Sequence, residues 1–528
     1  MASGMRTKEN TPSIEEAADA AGQVVAPQPT SLTAHVLINY RWVFVCFFLL
    51  PLSFFYDIWY YLRNKVIFYA NSAPTKHTER VRQVQEQVLK WNKDGRKAPM
   101  CTARPGWQNI SYRRGLYKKT LSNIKINMMD VLKVDTAAKS VWVEPLVTMG
   151  QLSATLSPLG WCLAIVPELD DLTVGGLVMG TGIETSSHRY GLFQHICTSY
   201  ELVLADGSVV TCSKDVNPDL FYAVPWSYGT LGFLTAVEIQ IVPTKQFVKL
   251  EYHPVSSLDE ACHVFESASK DTEANHFVEA LMFTLNKGVV MTGSMVNQVD
   301  STKVNAIGTW HKPWFFKHVE AKFDQRAADR VEYIPLRDYF HRHSRSIFWE
   351  IQDIIPFGNH VVFRYLLGWL VPPKVSLLKL TQSDAIKQLY DNHHFIQDML
   401  VPMTRLKEAL KVFHREVQVY PLWLCPFVLP SRPGMLQTNA AGDTLFVDIG
   451  AYGVPHVANF HPVHTTRRIE AFVRDNDGFQ MMYADSYMTE DEFESMFDHS
   501  LYNKMRTKYN CDGAFPRVFG KVSRAVRD

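Results

Sequence analysis

From Trp42 to Leu62 the chain reads WVFVCFFLLPLSFFYDIWYYL, an apolar run whose only charge is Asp57. An α-helix crosses the hydrocarbon core of a bilayer with about 20 such residues, because it satisfies all its backbone polar groups internally. One membrane anchor is therefore expected over residues 35–62. The competing reading is a buried helical hairpin of the soluble body. Pro51 is tolerated in a membrane helix, and Trp59, Tyr60 and Tyr61 suit the aromatic belt at an interface. Residues 1–34, rich in Ala, Thr, Pro and charge, have no apolar period and read as disordered. They do not form a signal peptide, since no apolar core lies near Met1. Arg63, Lys65, Lys76, Arg80 and Arg82 follow the run, against Arg6, Lys8 and Arg41 before it. That bias puts the C-terminal body in the cytosol. There the lone sequon, Asn109-Ile110-Ser111, never meets the glycosylation machinery.

At 528 residues the chain exceeds what one hydrophobic core usually supports, so two folded domains are expected. Its 54 basic and 53 acidic residues nearly cancel, which argues against a general nucleic-acid binder. The eight cysteines (46, 101, 162, 197, 212, 262, 425 and 511) include no C-x-x-C pair. Neither a zinc ribbon nor a disulfide framework is indicated, no metal site is expected, and a reducing compartment fits.

Thr78 to Trp91 has apolar residues at helical spacing and predicts a short amphipathic helix. Between Pro99 and Pro243 short β-rich runs alternate with glycines and helical stretches, and LVLADGSVV predicts a hairpin turning on Asp206-Gly207. A second pattern starts at Phe247: strand FVKLEYHPV, helix SLDEACHVFESASK, strands FVEALMFTL and GVVMTGSMV, and later strand TLFVDIGAY and helix TTRRIEAFVRD. Both halves are α+β, divided as residues 63–244 and 245–528.

Glycines cluster at 175, 176, 180 and 182 within DDLTVGGLVMGTGIETSSHRYG. Without Cβ atoms, successive amides approach a ligand closely and form a concavity suited to a pyrophosphate. Thr181, Thr185, Ser186 and Ser187 offer hydroxyls to the same anion. Turns and bulges of a β-rich domain use glycines in the same way, so clustering by itself leaves both readings open. The spacing matches neither the Rossmann fingerprint nor a Walker A loop.

Three segments in order are more specific: MCTARPGWQNIS (100–111), DDLTVGGLVMGTGIETSSHRYG (170–191) and NPDLFYAVPWSYGTLGFLTAVEIQIV (217–242). Together they resemble the FAD-binding domain of the p-cresol methylhydroxylase (PCMH) and vanillyl-alcohol oxidase superfamily. Blocks such as CTARPGW, VEPLVTMGQ, KPWFFKHVE, RSIFWEIQDIIPFGN and GFQMMYADSYM extend the resemblance, from about Tyr40 to the C-terminus, to the branch that reduces sterol side chains. The resemblance implies a two-subdomain PCMH-type FAD-binding domain, a substrate (cap) domain, and FAD between them. Carried over, the FAD-contacting stretch is Thr173, Val174, Gly175, Gly176, Leu177, Val178, Met179, Gly180, Thr181, Gly182, Ile183, Glu184 and Thr185. Arg104, Pro105 and Gly106 fall on the pyrophosphate loop. Many relatives attach FAD through a histidine near such a glycine. Here Trp107 follows Gly106, and no histidine occurs between it and His188, so non-covalent FAD is implied.

The implied reaction reduces the isolated 24(25) double bond of a sterol, of the desmosterol-to-cholesterol kind, with NADPH as reductant, on endoplasmic reticulum or Golgi membranes. Such an alkene has no carbonyl to accept hydride, so an acid must protonate it in a water-poor pocket. Aromatic faces would steady the developing positive charge. Tyr483 is the first candidate for the proton donor and His343 the second, with Tyr487, His341 and Glu350 also polar among aromatics. Any of these is equally a core residue with its hydrogen bonds satisfied. Asp170 and Asp171 more naturally brace the glycine loop. Residues 344–380 are apolar but interrupted by Pro356, Arg364, Pro372 and Pro373, which suggests a second membrane contact at the pocket mouth, or a core helix and loop. A flavin oxidase of a small alcohol or lactone, or a membrane-tethered flavoprotein with an interaction role, are the rival functions. No second nucleotide motif locates NADPH, and oligomeric state is not legible.

Overall fold

The computed structural model describes residues 40–105, 108, 118–325, 329–373, 377, 384–438 and 441–524. Residues 1–34, Gly106, the sequon and parts of 35–62 and 344–380 lie outside the described residues.

The apolar run forms one continuous helical rod, Trp42–Asn71, of 30 residues. It ends nine residues later than Leu62, because Arg63, Asn64 and Lys65 do not break a helix and no proline or glycine follows until the chain turns at Ser72. A π-helical turn at Val45–Leu49 precedes Pro51, whose ring nitrogen has no hydrogen to give the preceding turn. Phe47 and Phe55 stand exposed on the rod.

The C-terminal end of the rod is tied to the body. Arg80 donates to the Asn71 carbonyl, Ser72 Oγ donates to Asp130 Oδ1 at 2.6 Å, and the Ala73 amide donates to Asp130 Oδ2 at 2.8 Å. Arg80 also pairs with Asp130 at 2.7 Å and Glu144 at 2.8 Å. His77 adds contacts to Glu144 at 2.9 Å and Glu201 at 3.1 Å. Burial alone would lower the His77 pKa, but the two carboxylates outweigh it and raise it to about 9. The amphipathic helix His77–Lys93 carries this network, with Val81, Val84, Val88 and Trp91 turned inward.

The first sheet is antiparallel, in the order Val131–Asp135, Ser140–Val143, Phe233–Pro243, Cys197–Val203, Val209–Ser213, with Trp161–Leu163 pairing the far end of Phe233–Pro243. The expected hairpin is present: Gly207 takes a φ of +86°, and Asp206 Oδ1 accepts the Ser208 amide at 2.9 Å. A separate two-stranded parallel pair joins Met100–Thr102 to Ser122–Ile124.

After Pro243 the chain passes directly into a second, antiparallel sheet of eight strands. Its order is Val331–Pro335, Phe247–Val255, Lys287–Val296, Phe277–Thr284, Leu422–Leu429, Thr444–Gly453, Phe395–Pro402, Phe479–Gln480. Strand side chains alternate, so each face has its own core. Val278, Ala280, Leu424, Ile449 and Met399 pack under the helices Leu258–Lys270, Leu406–Glu416 and Pro462–Asp475. Leu281, Trp423, Cys425, Phe427, Phe446 and Leu400 point the other way and merge with the core of the N-terminal half.

Candidate cofactor and substrate site

The glycine-rich segment runs as a short helix, Val174–Met179, then an irregular stretch to Ser186, then a turn of helix at Ser187–Tyr190. No hydrogen bond among the described residues closes on the amides of Gly176, Thr181, Gly182 and Ile183. These donors, with Arg104, suit a pyrophosphate. The Arg104 guanidinium is held by Thr173 Oγ1 at 2.7 Å and the Gln108 carbonyl at 3.0 Å. Lys118, which the sequence did not single out, straps the same loop by donating to the carbonyls of Thr102 at 2.9 Å and Arg104 at 2.6 Å. Pro105 is exposed at the loop's described edge.

Two of the glycines make room for protein. A Cβ at Gly175 would lie 2.9 Å from Pro145 Cβ and 3.0 Å from its carbonyl oxygen, and one at Gly182 would lie 2.8 Å from Leu177 Cδ2. Each hydroxyl expected to face the anion also has a protein partner. Thr181 bonds Gln194 (3.3 Å), Thr185 meets the Tyr339 hydroxyl (3.1 Å), Ser186 donates to the Ala164 carbonyl (2.9 Å) and Ser187 accepts from the Glu184 amide (3.1 Å). A buried hydroxyl takes the nearest protein partner, since an unsatisfied one costs about 1–3 kcal/mol.

The end of this cradle abuts the inner face of the eight-stranded sheet. The Val278 amide donates to the Thr185 carbonyl at 2.9 Å. Glu184 Oε1 accepts from Arg342 Nη2 at 3.1 Å, and Arg342 grips Glu279 with Nε at 2.7 Å and Nη2 at 2.9 Å. His343 Nε2 lies 3.1 Å from Glu279 Oε2, which also accepts from Trp423 Nε1 at 3.0 Å. Burial would raise the Glu279 carboxyl, but Arg342 and His343 together hold it well below the usual range. Burial lowers His343, with Glu279 opposing.

Register continues the polar row across the sheet. Cys425 is paired with Asp448, Leu400 with Asp448, and Asp398 with Gly450, so Asp448 and Asp398 are diagonal neighbours on the inner face. Tyr452 and Tyr483 both donate their hydroxyls to Asp398. Burial pushes Asp398 up to about 6 against those two hydrogen bonds. Burial, with the charge of Asp398 beside it, lifts Asp448 well above the ordinary carboxylate range. A Cβ on Gly450 would fall 2.4 Å from the Tyr452 hydroxyl and 2.9 Å from Asp398 Oδ1, so the mid-strand glycine makes space for this group.

The loop Ser344–Trp349 supplies the aromatic wall. Ile347 (φ +46°) and Phe348 (φ +59°) are both left-handed, a conformation costly for non-glycine residues and rare for a β-branched one. The ring of Phe348 stacks on His343 at 4.8 Å and lies 5.3 Å from Trp423 and 5.0 Å from Tyr452, packing that holds the strained backbone in place.

Tyr483 and His343 thus reach the same sheet face, through Asp398 and Glu279 respectively. Tyr487 is set apart, its hydroxyl accepting from Arg524 at 3.0 Å. His341 bonds the Glu168 carbonyl and sits 3.3 Å from Asp170, which also pairs with Arg337, so Asp170 braces the cradle against the second half. Glu350 is buried at the start of the helix Glu350–Ile354. Sequence reasoning passed over Glu279, Arg342, Asp398 and Asp448. Three of them carried a signal, a carboxylate inside an otherwise apolar strand: FVEALMFT, FIQDMLVP and TLFVDIGAYG.

The model of a family described as an FAD binding domain matches residues 82–213, which contain the cradle and most of the first sheet. Fold and site therefore define an FAD-binding protein of α+β structure with one N-terminal apolar helix. Over 492 aligned residues the chain is 58% identical to the Delta(24)-sterol reductases of Macaca fascicularis and Homo sapiens and 57% identical to that of Mus musculus, each across 93% of this chain and 95% of the relative. The chain belongs to the Delta(24)-sterol reductase family, within the PCMH-type FAD proteins.

Proposed function

We propose that this protein reduces the 24(25) side-chain double bond of a sterol, with non-covalent FAD in the cradle and NADPH as the ultimate reductant. The observation that carries the reading is the meeting of the FAD cradle with a buried face lined by aromatic rings and acid groups, in a chain of this family. Arg104 and the open amides of Gly176, Thr181, Gly182 and Ile183 would hold the pyrophosphate, and the bound cofactor would supply the hydride. The aromatic wall of Phe348, Trp423 and Tyr452 excludes water and steadies positive charge on the tertiary carbon. Tyr483 and His343 remain the sequence-derived proton-transfer candidates. In this reading residues 63–244 form the two-subdomain FAD-binding domain and 245–528 the cap.

Anaerobic absorbance of the detergent-purified protein during addition of NADPH, then desmosterol, tests the reading. The flavin band should bleach with NADPH and return with the sterol. A band that returns only with O₂ would make the protein an oxidase, and one that never bleaches would leave a flavoprotein without this chemistry.

We also propose that substrate enters from the bilayer of the endoplasmic reticulum or Golgi, with the body on the cytosolic side. Phe357, Val361, Val362, Tyr365, Leu366 and Trp369 form an exposed apolar patch, Leu366 being 66% exposed. The patch continues the surface of the anchor, since Phe357 packs on Trp42 at 5.2 Å and Trp369 on Phe54 at 5.2 Å. Arg364, which interrupts the apolar sequence, turns back to the carbonyls of His311 at 2.6 Å and Asn359 at 2.9 Å. A patch of this character beside a membrane helix fits a monotopic contact. Flotation with liposomes after deletion of 42–62 should retain binding, and loss of all binding would refute the contact.

A further inference from the structure

Asp448 lies in the middle of the strand Thr444–Gly453 and is completely buried, yet neither carboxylate oxygen has a hydrogen-bond partner among the described residues. Every other acid in the row is engaged: Glu184 and Glu279 by Arg342, Asp398 by Tyr452 and Tyr483. An ionised carboxylate in that position would face a large desolvation penalty with no compensating cation or donor. Its surroundings are Cys425 opposite it on the neighbouring strand, Asp398 diagonal to it, and Tyr452 and Tyr483 beyond; Glu184, Glu279 and Arg342 lie within electrostatic range of the same Cys425. The side chain therefore sits between the cradle's end and the Asp398–tyrosine group.

We infer that Asp448 is the acid that protonates the alkene, and that its proton is returned from the side of the neighbouring Asp398 and Tyr483. This rests on the sterol-reductase reading. In the step the Asp448 O–H bond breaks and the alkene π pair forms the new C–H bond at the less substituted carbon. The tertiary carbon would take the hydride that FAD, when bound, would supply, and the Asp448 carboxylate is reprotonated from the Asp398–Tyr483 side, ultimately from solvent. The reductant is consumed once per alkene, so electrons and atoms balance. Burial and the adjacent charge of Asp398 both favour the protonated form of Asp448, the form a general acid requires.

The test uses the detergent-purified full-length holoenzyme and Asp448→Asn, which keeps the shape and removes the acid. The variant should keep its FAD and its bleaching by NADPH, while desmosterol-driven return of the flavin band slows at least about 100-fold, the usual scale of general-acid catalysis. Infrared difference spectroscopy supplies a second readout. Wild type at neutral pH should show a protonated-carboxyl C=O band that shifts in ²H₂O, and the variant should lack it. Sterol-driven return at the wild-type rate in the variant, or an infrared band unchanged by the substitution, overturns the assignment. Should the variant fail to fold, the wild-type band must still shift on binding the saturated product sterol, and a band indifferent to product also overturns it. Failure of desmosterol to reoxidise the wild-type flavin would instead refute the underlying sterol-reductase reading.

Discussion

Arg342 is the bridge on which the two halves of the site depend, and its removal has a calculable consequence. Its side chain is fully buried, stacked over Tyr339 at 4.3 Å, and makes charge-assisted bonds to Glu184 in the cradle and Glu279 in the second sheet. Arg342→Met keeps much of the volume but leaves two buried carboxylates with neutral donors, Trp423 Nε1 on Glu279 and the Thr185 amide on Glu184, and with His343 beside Glu279. Breaking a buried ion pair from one side costs about 3–5 kcal/mol, because the remaining charge stays desolvated and unpaired. At 1.36 kcal/mol per factor of ten, that is roughly a hundred- to several-thousand-fold shift in equilibrium. Urea unfolding of the solubilised enzyme, followed by flavin fluorescence, should show the loss, and the FAD dissociation constant should rise with it. The sign of the pH dependence follows from Glu279. Its native pKa is depressed, so its contribution is full above the ordinary carboxylate pKa and is lost as pH falls through the native value. In the variant both carboxylates rise and take up protons, so the deficit against wild type should be larger at pH 8 than at pH 5. The double variant Arg342→Met/Glu279→Gln should recover part of the loss. A deficit below about 1 kcal/mol, or one independent of pH, would refute the view that an uncompensated buried charge is what Arg342 prevents.

The latch at the foot of the anchor should be pH-sensitive in the opposite sense. His77 has a native pKa of about 9 against an ordinary 6.5, so its contribution, roughly 3 kcal/mol at most, is full below pH 6.5 and lost as pH rises through 9; His77→Gln should flatten that limb of a thermal-melting profile. Gly175→Ala forces a Cβ against the rigid Pro145 backbone, and isolated protein should contain markedly less FAD by absorbance, whereas full occupancy would show that the loop yields freely. Ser257 caps the helix Leu258–Lys270 through the Glu260 amide at 3.2 Å, so Ser257→Ala should cost about 1 kcal/mol in urea unfolding with FAD content unchanged.

Local signals in the sequence sufficed for much of the architecture. The Trp42–Leu62 run pointed to a long helix, because an apolar stretch of that length crossing a bilayer must meet its backbone hydrogen bonds internally. Strands such as Phe247–Val255 and the turn at Gly207 were legible because alternation and turn chemistry act between residues a few positions apart. The glycine-rich cradle was legible for the same reason, being one contiguous segment. What the linear chain could not reveal was which side chains that segment would face. Glu279, Cys425, Asp448 and Asp398 belong to four strands scattered over more than a hundred positions, and only the register of one sheet puts them side by side. Their protonation is likewise a tertiary property. Desolvation and a neighbour's charge set it, and neither exists until the sheet closes against the cradle. The sequence determined that a glycine-rich loop and a long apolar helix would form. The packing of the second sheet onto that loop decided which residues are left to do chemistry there.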